Sequence, residues 1–112
     1  MRLSPGVRVL QVTERTAEFS VRYHARAKHY AYFIHIGHAA SPFIAPYVWT
    51  DRRPLDPVAM DRAAACLVGT RCFRALQSAR DFREQTETTI YAARVWQDGA
   101  LFCFEVVGRN FL

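Results

Sequence analysis

A basic and aromatic segment in the first third of the chain carries the side chains best suited to a chemical role. Its cations Arg22, Arg26 and Lys28 precede two tyrosines, Tyr30 and Tyr32. Cationic side chains beside aromatic rings suit a nucleic-acid backbone that leads to a stacked, splayed-out base. The same pattern is also typical of tyrosines that lie in a protein core with hydrogen-bonded hydroxyls. Both interpretations stay open on the pattern alone.

The four histidines raise the question of a metal site, and their spacing argues against one. On a strand, His29 and His35 would share a face but lie about 20 Å apart, at about 3.3 Å per residue, which is too far to bind one ion. His35-x-x-His38 is an isolated motif without further ligands at the spacing of a metal site, and the sequence has no Cys-x-x-Cys motif. We therefore expect no metal.

The three cysteines, Cys66, Cys72 and Cys103, form an odd set without a close pair. This argues against a secreted disulfide framework and fits a reducing cytoplasm. A catalytic thiol needs a basic partner that lowers its pKa, whereas Cys66 lies in an Ala-rich segment and Cys103 in an apolar one. We predict that all three are buried small hydrophobic residues.

Length and charge limit the class of protein. The 112 residues, 51% of them hydrophobic, fit a single domain, residues 1–112, with a core of its own. The net charge of +5, dominated by arginine, favours a polyanionic partner, because arginine binds phosphates and stacks on bases. No apolar run is long enough to span a bilayer or to form a signal peptide. We expect a cytoplasmic protein without a membrane contact.

Apolar and polar residues alternate in the first third of the chain, which predicts strands. Residues 7–12 form one candidate strand. Residues 19–24 and 29–36 form two more, with a break at 25–28, because an unbroken strand of that length would be unusual. The segment 29–36 carries large side chains on both faces, which predicts a strand in the middle of a sheet. Residues 37–49 contain prolines and aromatic residues without a regular period, which predicts an ordered loop packed on the core.

A helix is predicted after residue 55. Asp56 is a suitable N-cap, Pro57 fits the first turn, and Gly69 provides a stop at the C-terminal end. Between these signals the apolar residues share one helical face: Met60, Ala63, Ala64, Leu67 and Val68.

Two further strands follow the helix. Residues 88–96 and 100–107 are rich in β-formers and are joined by Gln97-Asp98-Gly99, a strong hairpin signal. One main helix on a mostly antiparallel sheet gives an α+β fold.

Stretches spread over essentially the whole chain match, in order, the motifs of one protein family. Phe19-Ser20-Val21-Arg22 and Tyr30-Ala31-Tyr32 are similar to its Phe-His-Ala-Arg and Arg-Tyr-Arg-Tyr segments. Pro54-Leu55-Asp56 with the helical stripe is similar to its Pro-Leu-Asp helix, and residues 104–112 to a strand that ends near Asn-Ala-Phe-Leu. Through these matches the chain resembles the tRNA pseudouridine synthase A family.

The resemblance implies a partial pseudouridine synthase catalytic domain whose partner is tRNA. The family isomerises uridine to pseudouridine in the anticodon stem-loop, at tRNA positions 38–40, as a homodimer and without metal or organic cofactor. An aspartate in a Gly-Arg-Thr-Asp-Ala-Gly motif carries the chemistry. The resemblance makes Tyr30 the pocket tyrosine that packs against the target uracil and places Arg22 in the RNA-binding cleft. The basic pattern adds Arg26 and Lys28 to that cleft.

The sequence also departs from the family pattern. Ser20 stands where the family usually has His, Cys72 where it has Asp, and Leu76 where it has an aromatic residue. The 112 residues contain no Gly-Arg-Thr-Asp motif and end before the family's Met-Val-Arg segment. We therefore expect the isolated chain to be inactive unless a part that bears the aspartate completes it. We also expect residues 102–107 to form an unpaired apolar strand.

Three hypotheses for function remain at this point. The chain is the RNA-binding part of a tRNA pseudouridine synthase, or a non-catalytic RNA-binding module that keeps the basic cleft, or a degenerate fragment. Salt-dependent binding to tRNA would test the second, because phosphate contacts make affinity fall steeply with salt. Failure of the chain to fold cooperatively on its own would favour the third.

Overall fold

The structure is a computed structural model, which describes residues 6–77 and 84–111. Its strands are β1 (Lys28–Ile36), β2 (Trp49–Asp51), β3 (Gly69–Cys72), β4 (Glu87–Asp98) and β5 (Leu101–Gly108), and its α-helix is α1 (Pro57–Ala65). The strands form one sheet in the order β2-β1-β5-β4-β3, in which every neighbouring pair except β1 with β2 is antiparallel. The predicted α+β fold is confirmed.

The strand β1 begins at Lys28, where the predicted break ends. It lies between β2 and β5, so the prediction of a strand inside the sheet is confirmed. Its register places Tyr32 opposite Phe104 and Ile34 opposite Phe102. Cross-strand pairs of this kind stabilise the sheet on the face where both side chains project.

The two candidate strands that precede β1 are not strands in the structure. Residues 7–16 are exposed and have no regular structure, and residues 17–24 form turns. One of these turns is closed by the Ser20 carbonyl, which accepts a hydrogen bond from the His24 N–H at 2.9 Å. Both predictions were wrong because alternation shows only which faces a strand could present. A strand also needs a neighbour, and none of the described strands pairs with these residues.

The helix α1 starts where it was predicted. The Asp56 carboxylate accepts hydrogen bonds from two backbone N–H groups of the first turn, at 2.9 and 3.1 Å. The helix ends at Ala65 rather than at Gly69, because residues 66–68 continue as tight turns before Gly69, with φ +115°, begins β3. Met60, Ala63, Ala64 and Leu67 face the sheet as predicted, whereas Val68 lies beyond the helix and is exposed.

The predicted hairpin is confirmed as β4 and β5. Asp98 pairs with Leu101 across a turn in which Gly99 has φ +55°, a conformation that glycine adopts without steric cost. The prediction that residues 102–107 form an unpaired edge was wrong. β5 lies in the middle of the sheet, because β1, which is distant in sequence, pairs with the side that β4 leaves free.

The two short strands β2 and β3 form the sheet edges, and neither was predicted as a strand. Between β1 and β2, the loop is less packed than predicted, since Phe43 and Tyr47 are 89% and 77% exposed. The buried apolar residues lie in the sheet and on α1: Ile34, Ala64, Ile90, Phe102 and Cys103. Among the described residues, no helix is long and apolar enough to cross a membrane.

Candidate functional site

The helix α1 covers only part of one face of the sheet. Tyr30, Tyr32 and Ile34 lie on this face of β1, because side chains alternate along a strand. The exposed fraction falls towards the helix, from 55% at Tyr30 to 53% at Tyr32 and 7% at Ile34. The face is therefore buried at Ile34 and open around Tyr32 and Tyr30.

Tyr30 stands at the open end of this face and contacts one other ring. The Phe111 ring meets it edge to face, with the centroids 4.8 Å apart and the planes at 89°. This is a favoured aromatic geometry that leaves one face of a ring free. A core role for Tyr30 does not fit an exposed fraction of 55%. An exposed aromatic ring held by a neighbour is suited to stacking on a planar ligand.

An apolar cleft of about 210 Å³ lies next to this pair of rings. Phe111, which contacts Tyr30, forms one of its walls, and Thr88 and Asn110 supply its polar groups. The other lining residues are apolar: Leu67, Phe73, Leu76, Ile90, Phe104 and Val106. An apolar cleft with few polar groups is the usual form of a small-molecule or base site.

A polar cleft of about 300 Å³ adjoins the apolar one, and the two share Thr88 and Asn110. The Thr88 hydroxyl donates a hydrogen bond to the Asn110 carbonyl at 3.1 Å, which fixes the wall between them. The other residues of the polar cleft are Thr70, Gln85, Glu87, Thr89 and Arg109.

The three predicted RNA-binding cations lie on the exposed stretch that leads into β1. Arg22, Arg26 and Lys28 are all exposed. The Arg22 guanidinium carbon lies 5.9 Å from the centre of the Tyr23 ring, in cation–π range. Lys28 lies two positions before Tyr30 on β1, where alternating side chains share a face. No described contact joins Arg22 or Arg26 to Tyr30, so the structure brings only Lys28 close to the tyrosine.

The prediction of buried cysteines is confirmed for Cys103 and wrong for the other two. Cys103 is buried, and desolvation raises the pKa of its thiol. Cys66 and Cys72 are exposed, so the prediction that all three are buried was wrong. The Thr86 hydroxyl, 3.1 Å from the sulfur, is the main cause that lowers the pKa of the Cys72 thiol, and the Arg74 backbone and charge add to it. Within residues 6–77 and 84–111, no group of three or more metal-ligating residues lies together.

The opposite face of the sheet carries an ion pair. The Arg94 guanidinium and the Glu105 carboxylate are 2.6 Å apart and lie on neighbouring strands. The hydrogen bond from Arg94 is the main cause that lowers the pKa of Glu105. This pair connects β4 and β5 on the face opposite to Tyr30.

Known proteins resemble this chain along nearly its whole length. It is 34% identical over 110 residues to a tRNA pseudouridine synthase A of Moorella thermoacetica, and the alignment covers 98% of this chain and 45% of the relative. It is 33% identical over 111 residues to a protein of the same name from Halalkalibacterium halodurans, with 99% and 42% covered. A third, from Citrifermentans bemidjiense, is 35% identical, with 98% and 44% covered. No protein-family model matches the chain.

These relatives share one name, and the similarity extends through every element of the sheet. The chain is therefore a homologue of pseudouridine synthases. It is homologous to part of the proteins named tRNA pseudouridine synthase A and spans less than half the length of the curated relatives that it matches.

Sequence reasoning missed the residues that form the two clefts. Thr88 lies far from the neighbouring residues Asn110 and Phe111 in the sequence, and no pattern along the chain shows that it meets them. One signal was available, since the segment 104–112, which contains Phe111, matches a family motif. The same segment carries Arg109 and Asn110 of the polar cleft, but its pattern does not indicate a cleft.

Proposed function

We propose that this chain is the base- and RNA-binding part of a tRNA pseudouridine synthase that isomerises uridine in the anticodon stem-loop of tRNA. The observation that carries the proposal is the exposed Tyr30 ring, held edge to face by Phe111 beside the apolar cleft. A base that leaves its helix needs an aromatic surface and an apolar pocket to replace the stacking that it loses. This arrangement offers both.

The charge of the chain supports RNA as the partner. Arg22, Arg26 and Lys28 are exposed on the stretch that leads to Tyr30, and the chain carries a net charge of +5. Such a stretch can follow a phosphate backbone towards the base-binding position. We assign these three cations to RNA binding and Tyr30 to packing against the target uracil.

The chemical step requires a group that these residues do not supply. Isomerisation breaks the bond between the sugar and the uracil nitrogen and then joins uracil carbon 5 to the sugar, so the atoms of the nucleotide are conserved. In the family an aspartate carries this step, and its Gly-Arg-Thr-Asp motif is not among the 112 residues. We therefore expect activity only when an aspartate-bearing part of a synthase completes the site.

Pseudouridine formation in an unmodified tRNA transcript tests the proposal. The chain is assayed alone and after supply of the aspartate-bearing part of a related tRNA pseudouridine synthase A. We expect product only in the second case. Product from the chain alone would contradict the need for the aspartate, and no product in either case would remove support for the enzymatic function.

The role of Tyr30 is tested in the completed enzyme. Stacking of a base on an aromatic ring contributes about 1–3 kcal/mol, so Tyr30→Ala should lower kcat/KM about five- to hundredfold. Tyr30→Phe keeps the ring and should have a smaller effect. Tyr91→Ala is the matched control, since Tyr91 is an exposed tyrosine of the same sheet. Equal effects of the two alanine substitutions would contradict the assignment.

A non-catalytic RNA-binding module is the alternative, favoured by the exposed cations together with the absence of the aspartate motif from these residues. It predicts that tRNA binds with steep salt dependence whether or not the site is completed, while pseudouridine never forms. Binding that does not respond to salt, without product, would leave only a degenerate fragment.

A further inference from the structure

We propose that the polar cleft binds the ribose and phosphate of an RNA nucleotide, with Arg109 at the phosphate and Glu87 at the ribose 2′-hydroxyl. The inference rests on the proposed function, because it places this nucleotide next to the one whose base meets Tyr30. It gives a role to Arg109 and Glu87, which the sequence analysis had not singled out.

Arg109 is positioned firmly by its backbone, while its side chain is free to bind. Its N–H donates a hydrogen bond to the Thr89 carbonyl at 2.9 Å, which holds the residue against β4 just after β5 ends. The residue is exposed, and no described carboxylate forms an ion pair with its guanidinium. A fixed backbone with an unpaired guanidinium suits bidentate binding of a phosphate.

The other groups of the cleft favour a sugar together with a phosphate over a phosphate alone. Glu87 also lines the cleft, and its carboxylate would repel a bare anion. A carboxylate is, however, a strong acceptor for a sugar hydroxyl. The Thr70 and Thr89 hydroxyls, 2.8 Å apart, and the Gln85 amide add donors and acceptors. Among the described residues of the cleft, one cation, one carboxylate and several neutral polar groups fit a ribose phosphate.

The position of the polar cleft connects it with the rest of the candidate site. It shares the wall formed by Thr88 and Asn110 with the apolar cleft, so that one ligand can reach both. Gly108, the residue before Arg109, pairs with Lys28, and therefore these two cations lie at the same end of the sheet. An RNA strand that follows Arg26 and Lys28 towards Tyr30 thus arrives beside Arg109.

The recognition of the 2′-hydroxyl gives the proposal a direct test. Affinity is measured for an anticodon stem-loop RNA and for its all-2′-deoxy counterpart, at several salt concentrations. The native chain should prefer the RNA. Glu87→Ala should reduce this preference about tenfold, as expected for a lost hydrogen bond to a charged group. The ratio of the two affinities is the measurement, since removal of a carboxylate alone should strengthen both affinities equally.

Arg109→Gln should weaken binding of both oligonucleotides and lower the salt slope by about one. Arg52→Gln is the control, because Arg52 is exposed but lies after β2, on the opposite edge of the sheet. An unchanged preference in Glu87→Ala, or equal salt slopes for the two arginine variants, would overturn the inference.

These affinity measurements also separate a failure of this inference from a failure of the proposed function. If a triple variant of Arg22, Arg26 and Lys28 loses affinity while the Glu87 and Arg109 variants do not, the polar cleft is excluded and the proposed RNA-binding stretch remains. If none of these variants changes the affinity, both fail. Glu87→Asp keeps the carboxylate and should retain part of the preference for RNA over its deoxy counterpart. This control distinguishes the loss of the carboxylate in Glu87→Ala from misfolding.

Discussion

At Gly108 three strands and the end of the chain come close together. A methyl group added there would lie 2.9 Å from the Ile90 Cδ1, 3.1 Å from the Phe111 Cζ and 3.2 Å from the Thr89 carbonyl oxygen. The first two contacts could relax by side-chain movement, but the third is with backbone. Gly108 is therefore required for close packing, and the position of Phe111 depends on it.

Gly108→Ala should lower the free energy of unfolding by about 1–3 kcal/mol, as overpacking of a core usually does. It should also move the Phe111 ring away from Tyr30 and weaken tRNA binding. Urea denaturation and filter binding measure the two effects. Gly6→Ala is the matched control, because a methyl group at Gly6 meets no atom within 4 Å. Equal stability of the two variants would contradict the packing argument.

The ion pair of Glu105 and Arg94 predicts a dependence of stability on pH. The pKa of Glu105 in the folded chain lies below its usual 4.5, mainly because Arg94 donates a hydrogen bond to it. The unfolded chain therefore binds a proton at higher pH than the folded chain, so the stabilisation is fully present above pH 4.5 and is lost as the pH falls through the folded value.

Glu105→Gln should remove this contribution, so its melting temperature should fall less steeply than that of the native chain below about pH 4.5. Thermal melts followed by circular dichroism between about pH 6 and pH 3 test it. Glu14→Gln, a change at an exposed residue outside the sheet, should follow the native curve. Parallel curves for the native chain and Glu105→Gln would show that the ion pair does not contribute.

Among the elements, α1 and the β4–β5 hairpin could be predicted because their signals are local. Asp56 and Pro57 start the helix, and Gly99 makes the turn. The short strands β2 and β3 could not be predicted, because each is a strand only through a distant neighbour. The candidate site divides in the same way. The basic stretch and Tyr30 were visible in the sequence, whereas the two clefts arise where residues distant in sequence meet.

The side chain of Asp61 connects the helix and the sheet in a way that no pattern indicates. Its carboxylate accepts a hydrogen bond of 2.8 Å from the Val95 N–H, in the part of β4 that lies beyond its pairing with β3. An unpaired strand edge is otherwise open to other chains. This bond satisfies part of the edge and fixes α1 over the sheet.

Asp56→Ala tests the contribution of the helix cap. The substitution leaves two N–H groups of the first turn without their acceptor and should lower the free energy of unfolding by about 1 kcal/mol. Asp56→Ser can still cap the helix and should retain most of the stability. Chemical denaturation of the two variants distinguishes a cap from a charge effect, since both lack the carboxylate. An equal loss in both would contradict the cap.

The molecule as a whole is less compact than its length predicts. Its radius of gyration is 17.7 Å, against about 13 Å for a compact domain of this size. Residues 7–27, the stretch before β1, are exposed almost throughout and include large apolar side chains such as Leu10, Val12 and Val21. Such a stretch contributes little to the core and is available to bind a large partner.

This arrangement predicts where a protease acts and how tRNA changes its action. Trypsin should cleave after Arg15, Arg22 and Arg26 much faster than after Arg94, because the first three lie in exposed irregular backbone and the last in a strand. Bound tRNA should slow cleavage after Arg22 and Arg26 severalfold and leave cleavage after Arg52 unchanged. Mass spectrometry of timed digests measures each site separately. Equal protection at all exposed arginines would indicate a general inhibition of the protease, and no protection at Arg22 and Arg26 would place the RNA elsewhere on the molecule.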